Sequence, residues 1–163
     1  MSGIAIAGYV PGAIGRVAEL HASYYSKTWN FGLYFEAKVA AELSEFLRRY
    51  DPARDGFWTA IRDGRVEGSI AIDAAKADSE GAHLRWFILS DALRGLGAGN
   101  RLLREAVALC QQRGYPRVFL WTFQGLEPAR HLYEKFGFHL AEQSDGEQWG
   151  KRVREQRYVL ALA

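Results

Sequence analysis

Residues Leu84–Cys110 run an apolar stretch, a glycine-rich loop and an amphipathic helix in unbroken succession, and this order restricts the chain more than any other feature. His83–Leu89 (HLRWFIL) reads as a strand. In Ala98–Arg113, residues Leu102, Leu103, Ala106, Val107 and Cys110 fall on one helical face, and Gly114 suits the helix end. Arg94-Gly95-Leu96-Gly97-Ala98-Gly99 lies between them. Glycines allow unusual φ values and let a ligand approach the backbone. Several free N–H groups at the helix start then point one way, beside the positive end of the helix dipole, which suits a phosphate or pyrophosphate. Arg94 adds a forked cation and Arg101 a second. A P-loop fits poorly, because Asn100-Arg101 follows the glycines instead of Lys-Ser/Thr. A dinucleotide fingerprint fits poorly, because Asn100 stands at the third glycine place and five residues separate Leu89 from Gly95.

The rest of the chain supplies the elements around this unit. Ile4–Val10 reads as a first strand, and Pro11 starts a helix running to about Tyr25 on Val17, Leu20 and Tyr24. Phe35, Val39, Leu43, Phe46, Leu47 and Tyr50 form the stripe of a second helix, which Asp51-Pro52 ends. Phe57–Arg62 and Val66–Asp73 are β-prone runs joined by Asp63-Gly64, a hairpin turn signal. Asp73–Gly81 reads as a loop, Arg117–Thr122 as a buried strand, Pro128–Lys135 as a short helix, and Phe138–Glu142 and Arg157–Leu162 as closing strands. The order is β-α-α-β-β-β-α-β-α-β-β. Helices between the later strands imply one parallel pair inside a mixed sheet.

Bulk properties narrow the setting. A chain of 163 residues with 48% hydrophobic and 25% charged residues is expected to form one soluble domain spanning 1–163. Its net charge of +2 is too small to draw nucleic acid by bulk attraction. No apolar run has the length of a membrane span, and the N-terminus lacks the pattern of a signal peptide. The single Cys110 excludes an internal disulfide framework and fits a reducing, cytoplasmic setting. His21, His83, His131, His139 and Cys110 show no metal-ligand spacing, so no metal site is expected. Cys110, on the helix stripe, is expected to be a core thiol.

Arg-x-x-Gly-x-Gly, five residues after an apolar strand and opening an amphipathic helix, resembles the acetyl-CoA-binding motif of the GNAT N-acetyltransferase superfamily. Downstream, Ala129-Arg130-His131-Leu132-Tyr133-Glu134-Lys135-Phe136-Gly137-Phe138 resembles the family's A-x-x-L-Y-x-K-x-G-F segment. The two stand in the family's order with a strand between, and the resemblance covers nearly the whole chain. More narrowly, the chain is similar to the acetyltransferase half of proteins that fuse such a domain to a MarR-type DNA-binding module, although no such module is visible. The resemblance implies an α/β (α+β) GNAT fold: a mostly antiparallel mixed sheet of about seven strands with one splayed parallel pair, flanked by about four helices.

It also implies a function: transfer of an acetyl group from acetyl-CoA to an amine by direct attack in a ternary complex. Arg94, Gly95, Leu96, Gly97, Ala98 and Gly99 would cradle the CoA pyrophosphate, and Ile88 and Leu89 would pair their backbone with the pantetheine arm. Tyr133 matches the tyrosine that sits near the CoA sulfur and acts as general acid; otherwise it is a core tyrosine. Leu126 departs from the pattern, since the family often has Asn there. Family members often place a basic carboxylate on the strand before the glycine loop, but this chain has none between Gly81 and Ser90. His83 is one candidate base, through water, although a surface or sheet-edge histidine is the commoner explanation. Glu36, in the aromatic stretch Trp29–Glu36, is the other, read equally as a solvent-facing acid at a helix start. Trp149 either closes over substrate or serves packing. The resemblance leaves a homodimer open, as it does a longer acyl group. Two other readings remain: a non-catalytic acyl-CoA-binding module, and a small nucleotide-binding regulator.

Overall fold

A computed structural model describes residues 3–162. Among them the chain forms one seven-stranded mixed sheet with four α-helices. In chain order these are β1 (Ala5–Ala7), α1 (Ala13–Trp29), α2 (Leu33–Arg48), β2 (Gly56–Arg62), β3 (Arg65–Asp73), β4 (Ala82–Leu89), α3 (Ala98–Gln112), β5 (Arg117–Phe123), α4 (Glu127–Lys135), β6 (His139–Gly146) and β7 (Val153–Ala161). The sheet order is β1-β2-β3-β4-β5-β7-β6. Every neighbouring pair is antiparallel except β4 and β5. The element order and the parallel pair agree with the sequence. The β2–β3 turn does too: Asp63 and Gly64 hold φ values of 53° and 74°, the positive pair that a primed hairpin turn requires.

Helices cover both faces of the sheet. One apolar cluster joins β3, β4 and β5 to the stripe of α3, with Leu102, Leu103, Ala106 and Cys110 fully buried. Removing a Leu side chain of this kind from water contributes about 1.5–3 kcal/mol. Cys110 lies inside it, and burial pushes its thiol up to about 12. The other cluster packs α1 and α2, through Val17, Phe35, Val39, Leu43 and Phe46, against Phe57, Trp86 and Phe123. No helix among the described residues is long and apolar enough to cross a membrane.

Several boundaries differ from the sequence reading, and the first strand spans only Ala5–Ala7 of the expected Ile4–Val10. Gly12, with φ 90°, turns the chain before α1, so Pro11 precedes the helix. At its other end α1 runs on to Trp29, although Ser26, Lys27 and Thr28 interrupt the apolar stripe, because the Trp29 ring packs edge-on against Phe123. It stops where Asn30 adopts φ 60° and the Phe31 N–H reaches back to the Tyr25 carbonyl. The β6–β7 hairpin is longer than expected at both inner ends. Residues 139–145 are all exposed and carry no period-two signal. Their order comes from the ladder to β7 and from side-chain pairs such as Gln156 Nε2 donating to Gln143 Oε1 at 3.2 Å.

Two local irregularities set up the cleft described next. β4 and β5 pair only at Ala82–Val118 and His83–Phe119, so the strands diverge beyond that point. Gly81, at φ 116°, starts β4 hard against Arg117: a Cβ there would meet the Arg117 carbonyl oxygen at 2.9 Å. The second is a bulge in β4, where Trp86 and Phe87 together oppose the single Ile70 of β3. Trp86 takes φ 49°, a conformation that costs a bulky residue roughly 1–3 kcal/mol. The bulge reverses the alternation. Leu84 and Phe87 face α3, whereas the consecutive Arg85 and Trp86 both face α2.

Candidate active site

The divergence of β4 from β5 opens a cleft of about 180 Å³. Its walls are Leu84–Phe87 of β4, Leu120–Phe123 of β5, one face each of α1 and α2, the start of α4, and Gln148 and Trp149 of the β6–β7 loop. Trp149 therefore both lines the cleft and packs, its ring centroid 5.7 Å from that of Phe123. Gln148 holds this loop through its amide N–H and Nε2, each donating to Glu155 at 2.9 Å.

The glycine loop is open. Gly95 and Gly97 have φ values of 75° and 74°, and a Cβ on either would meet nothing within 4 Å. Backbone conformation selects glycine here, and the space beside both residues is free. The first bond within α3 runs from the Arg101 N–H to the Gly97 carbonyl at 3.1 Å, so the N–H groups of Ala98, Gly99 and Asn100 have no partner within the helix. Gly99 has a further reason to be glycine. A Cβ there would stand 3.0 Å from Leu89 Cδ1 and 3.3 Å from Leu132 Cδ2, so its absence lets α3 close onto β4 and α4. Leu96 is exposed at the tip. Arg94 pairs with Asp91 at 2.6 Å, with both side chains almost wholly in solvent. Such a pair is weak, and the guanidinium can exchange it for a better anion.

Alternation along β4 decides which backbone groups face the widening gap. The Ser90 N–H donates to the Glu67 carbonyl at 2.7 Å, so Ser90 and Glu67 form a hydrogen-bonded antiparallel pair. One step back, Leu89 sits opposite Gly68 in a non-bonded pair, and its N–H and C=O point away from β3, toward the gap. Ile88, opposite Ser69, turns its own groups into the β3 ladder. The backbone available to an extended ligand is that of Leu89; the expected pairing through Ile88 is corrected on this ground.

Tyr133 lines the cleft, 6% exposed, its ring packed against Phe87, Phe138 and Tyr158. Burial, with a lesser effect of nearby Tyr25, raises its phenol well above the ordinary value, so the hydroxyl keeps its proton at neutral pH. Leu126, at the start of α4, is buried and lines the same cleft.

The two proposed bases fare differently. Glu36 does not line the cleft; it is exposed in the first turn of α2. Phe35 and Val39 face inward, and a residue next to Phe35 stands about 100° round the helix, toward water. His83 does line the cleft, stacked on Phe119 at 4.5 Å between centroids. Burial, and then the charge of Arg85, lowers its imidazole from 6.5 to about 3. A histidine so depressed is a poor proton acceptor near neutral pH. It has a consequence for stability. Between pH 6.5 and 3 the unfolded chain takes up a proton that folded His83 refuses, so this group makes the fold lose stability as pH falls through that window. Urea unfolding at pH 7 and pH 4.5 should show a smaller acid loss for His83→Phe than for the parent; an equal loss would show that His83 is not buried in this way.

The sequence reading passed over the groups that line the far wall. Lys38 and Glu42 lie on α2 in register with Phe35 and Val39, and Arg85 reaches them from β4. Lys38 Nζ donates to Glu42 Oε2 at 2.6 Å, and Arg85 Nη2 to Glu42 Oε1 at 2.5 Å. Arg85 also reaches Asp73 at 3.3 Å and lies 4.1 Å over the Trp86 ring. Asp73 is held mainly by Arg49, through two bonds of 3.2 and 2.7 Å. An i, i+4 pair of charges bordering an apolar stripe was the available signal for Lys38 and Glu42. For Arg85 the signal was alternation alone: it follows Leu84 on β4 and so stands on the opposite face of the sheet, toward α2. Among the described residues no group of His, Cys, Asp and Glu is placed to hold a metal ion.

Comparison with known proteins adds four findings. The sequence model described as the Acetyltransferase (GNAT) family matches residues 14–138. The N-acetylaspartate synthetase of Rattus norvegicus is 30% identical over 151 residues, 85% of this chain and 50% of that protein, so the chain spans about half the length of this relative. An acetyltransferase of the GNAT family from Staphylococcus aureus superposes with a TM-score of 0.79 at 19% identity, covering 99% of this chain and 100% of that one. A putative acetyltransferase from Salmonella typhimurium, solved with acetyl-CoA, superposes with a TM-score of 0.73 at 13% identity, covering 99% and 95%.

Proposed function

The chain belongs to the acetyltransferase (GNAT) family, and from that premise we propose that it acts as one domain transferring an acetyl group from acetyl-CoA to a primary amine, by direct attack in a ternary complex. One observation carries the reading. An open run of unpaired N–H groups at Gly97–Asn100 adjoins the free edge of Leu89, and Tyr133 lies on the cleft between the diverging strands.

The residues present suit coenzyme A. The N–H groups of Ala98, Gly99 and Asn100 and the positive end of α3 hold the pyrophosphate, with Arg94 leaving Asp91 to join them. Leu89 offers one N–H and one C=O to the amide groups of the pantetheine arm, as a strand edge does for an added strand. Tyr133, protonated at neutral pH, gives its proton to the departing sulfur as the C–S bond breaks and the C–N bond forms. Glu42, the carboxylate among the lining residues, replaces Glu36 and His83 as the group that receives the amine's proton, directly or through water. The products are the N-acetylated amine and free CoA, with Glu42 releasing its proton to solvent and Tyr133 regaining one from it.

Calorimetry with CoA, NAD and ATP, followed by thiol release from acetyl-CoA across a set of amines, tests this. CoA is expected to bind and thiol release to depend on the amine. Preference for NAD or ATP would refute it. Tight CoA binding with no transfer to any amine would make the chain an acyl-CoA-binding module instead.

A further inference from the structure

We infer that the acceptor is an amine bearing its own carboxylate, of the amino-acid type, and that Arg85, with Lys38 beside it, is the group that selects it. This rests on the acetyl-transfer reading above and says what the same cleft takes on its other side.

The charged residues that line the cleft are Lys38, Arg85 and Glu42: two cations against one carboxylate. His83 and His21, also in the lining, are both depressed by burial, to about 3 and about 4, and add no charge at neutral pH. Asp73 does not line the cleft; it is 4% exposed and committed to two bonds from Arg49. A cleft built for a simple ammonium ion would hold the opposite balance, because a cation entering beside two cations and one carboxylate is repelled. An acceptor with an amine and a carboxylate matches the balance that is present.

Geometry agrees. Glu42 spans the two cations, one oxygen to each, at 2.6 and 2.5 Å. These are the partners a bound carboxylate would want, and Glu42 is the most exposed of the three side chains, at 38%. Arg85 is fixed from behind by Asp73 and by the Trp86 ring under its guanidinium, so its fork is already oriented and little entropy is lost when a carboxylate docks. Once the acceptor's carboxylate lies on Arg85 and Lys38, Glu42 is left facing the acceptor's ammonium, where it can take the proton.

The test uses paired probes. L-Alanine, L-phenylalanine and L-glutamate are compared as acceptors with their α-amides L-alaninamide, L-phenylalaninamide and L-isoglutamine, by acetyl-CoA-dependent thiol release. The parent protein is expected to favour a carboxylate over its amide by at least about 10-fold in kcat/KM in one or more pairs, since charge-assisted bonds to a buried fork are worth that much. In Arg85→Gln the ratio should collapse toward one; in Lys38→Met, at a more exposed site, it should fall partway. Circular dichroism and CoA affinity report whether either variant folds. No preference in the parent, or a preference that survives Arg85→Gln in a folded variant, overturns the inference. Should no amine be acetylated, calorimetry of the same pairs with CoA present decides it separately. Amino acids binding more tightly than their amides uphold the carboxylate site even as the transferase reading fails, and equal affinities overturn it.

Discussion

Gly97→Glu is expected to abolish CoA binding, by more than about 100-fold or ~2.7 kcal/mol, while leaving the domain folded. Gly97 sits at φ 74° immediately before α3, with open space where a Cβ would project. The new side chain meets no protein atom near its root, so the fold bears only the strain of a non-glycine residue at positive φ, about 1–2 kcal/mol. The cradle bears far more. A carboxylate then stands beside the N–H groups of Ala98 and Gly99, occupying donors meant for phosphate and repelling the pyrophosphate's charge. Gly97→Ala separates the two effects: it carries the strain without the charge and should lower the melting temperature by a few degrees while keeping most of the CoA affinity. Titration of both variants by calorimetry, with thermal unfolding alongside, checks the claim. A glutamate variant that binds CoA like the parent would remove the loop from the cofactor site.

Tyr133→Phe should lower the acetyl-transfer rate by roughly 10²–10⁴-fold with little change in CoA affinity. The substitution deletes one oxygen and keeps the ring that packs on Phe87, Phe138 and Tyr158. Stability and coenzyme binding are therefore expected to hold. What disappears is the only step assigned to the hydroxyl, protonation of the departing sulfur. Free thiols have a pKa near about 8.5, so water can still protonate the thiolate afterwards, but it cannot assist while the C–S bond breaks. The measurement is a single-turnover rate, which isolates the bond-breaking step from product release. An unchanged rate would return Tyr133 to the role of a core tyrosine.

Local pattern carried much of this protein. The α3 stripe, the Asp63-Gly64 turn, the glycine loop and the order of strands and helices all depend on residues close together in the chain, where period, turn chemistry and capping act directly. The longer β6–β7 hairpin did not, since 139–145 have no alternation of their own and are ordered by β7. Glu36 looked attractive for its aromatic neighbours, and helical rotation turned it to water. Glu42, six residues on, showed only its i, i+4 pairing with Lys38, because Arg85 meets it only when β4 is laid beside α2.

The chain's own spelling was enough to establish the architecture, the glycine-rich bend at Arg94–Gly99 and the family it resembles. Folding in three dimensions had to settle where β4 parts from β5, which backbone groups of β4 face the gap, and which charges meet at the acceptor wall. The reason is that these depend on a lapse in strand pairing, on a bulge at Trp86–Phe87 and on the laying of β4 beside α2, all consequences of contacts far apart in sequence: Arg85 meets Glu42 only there.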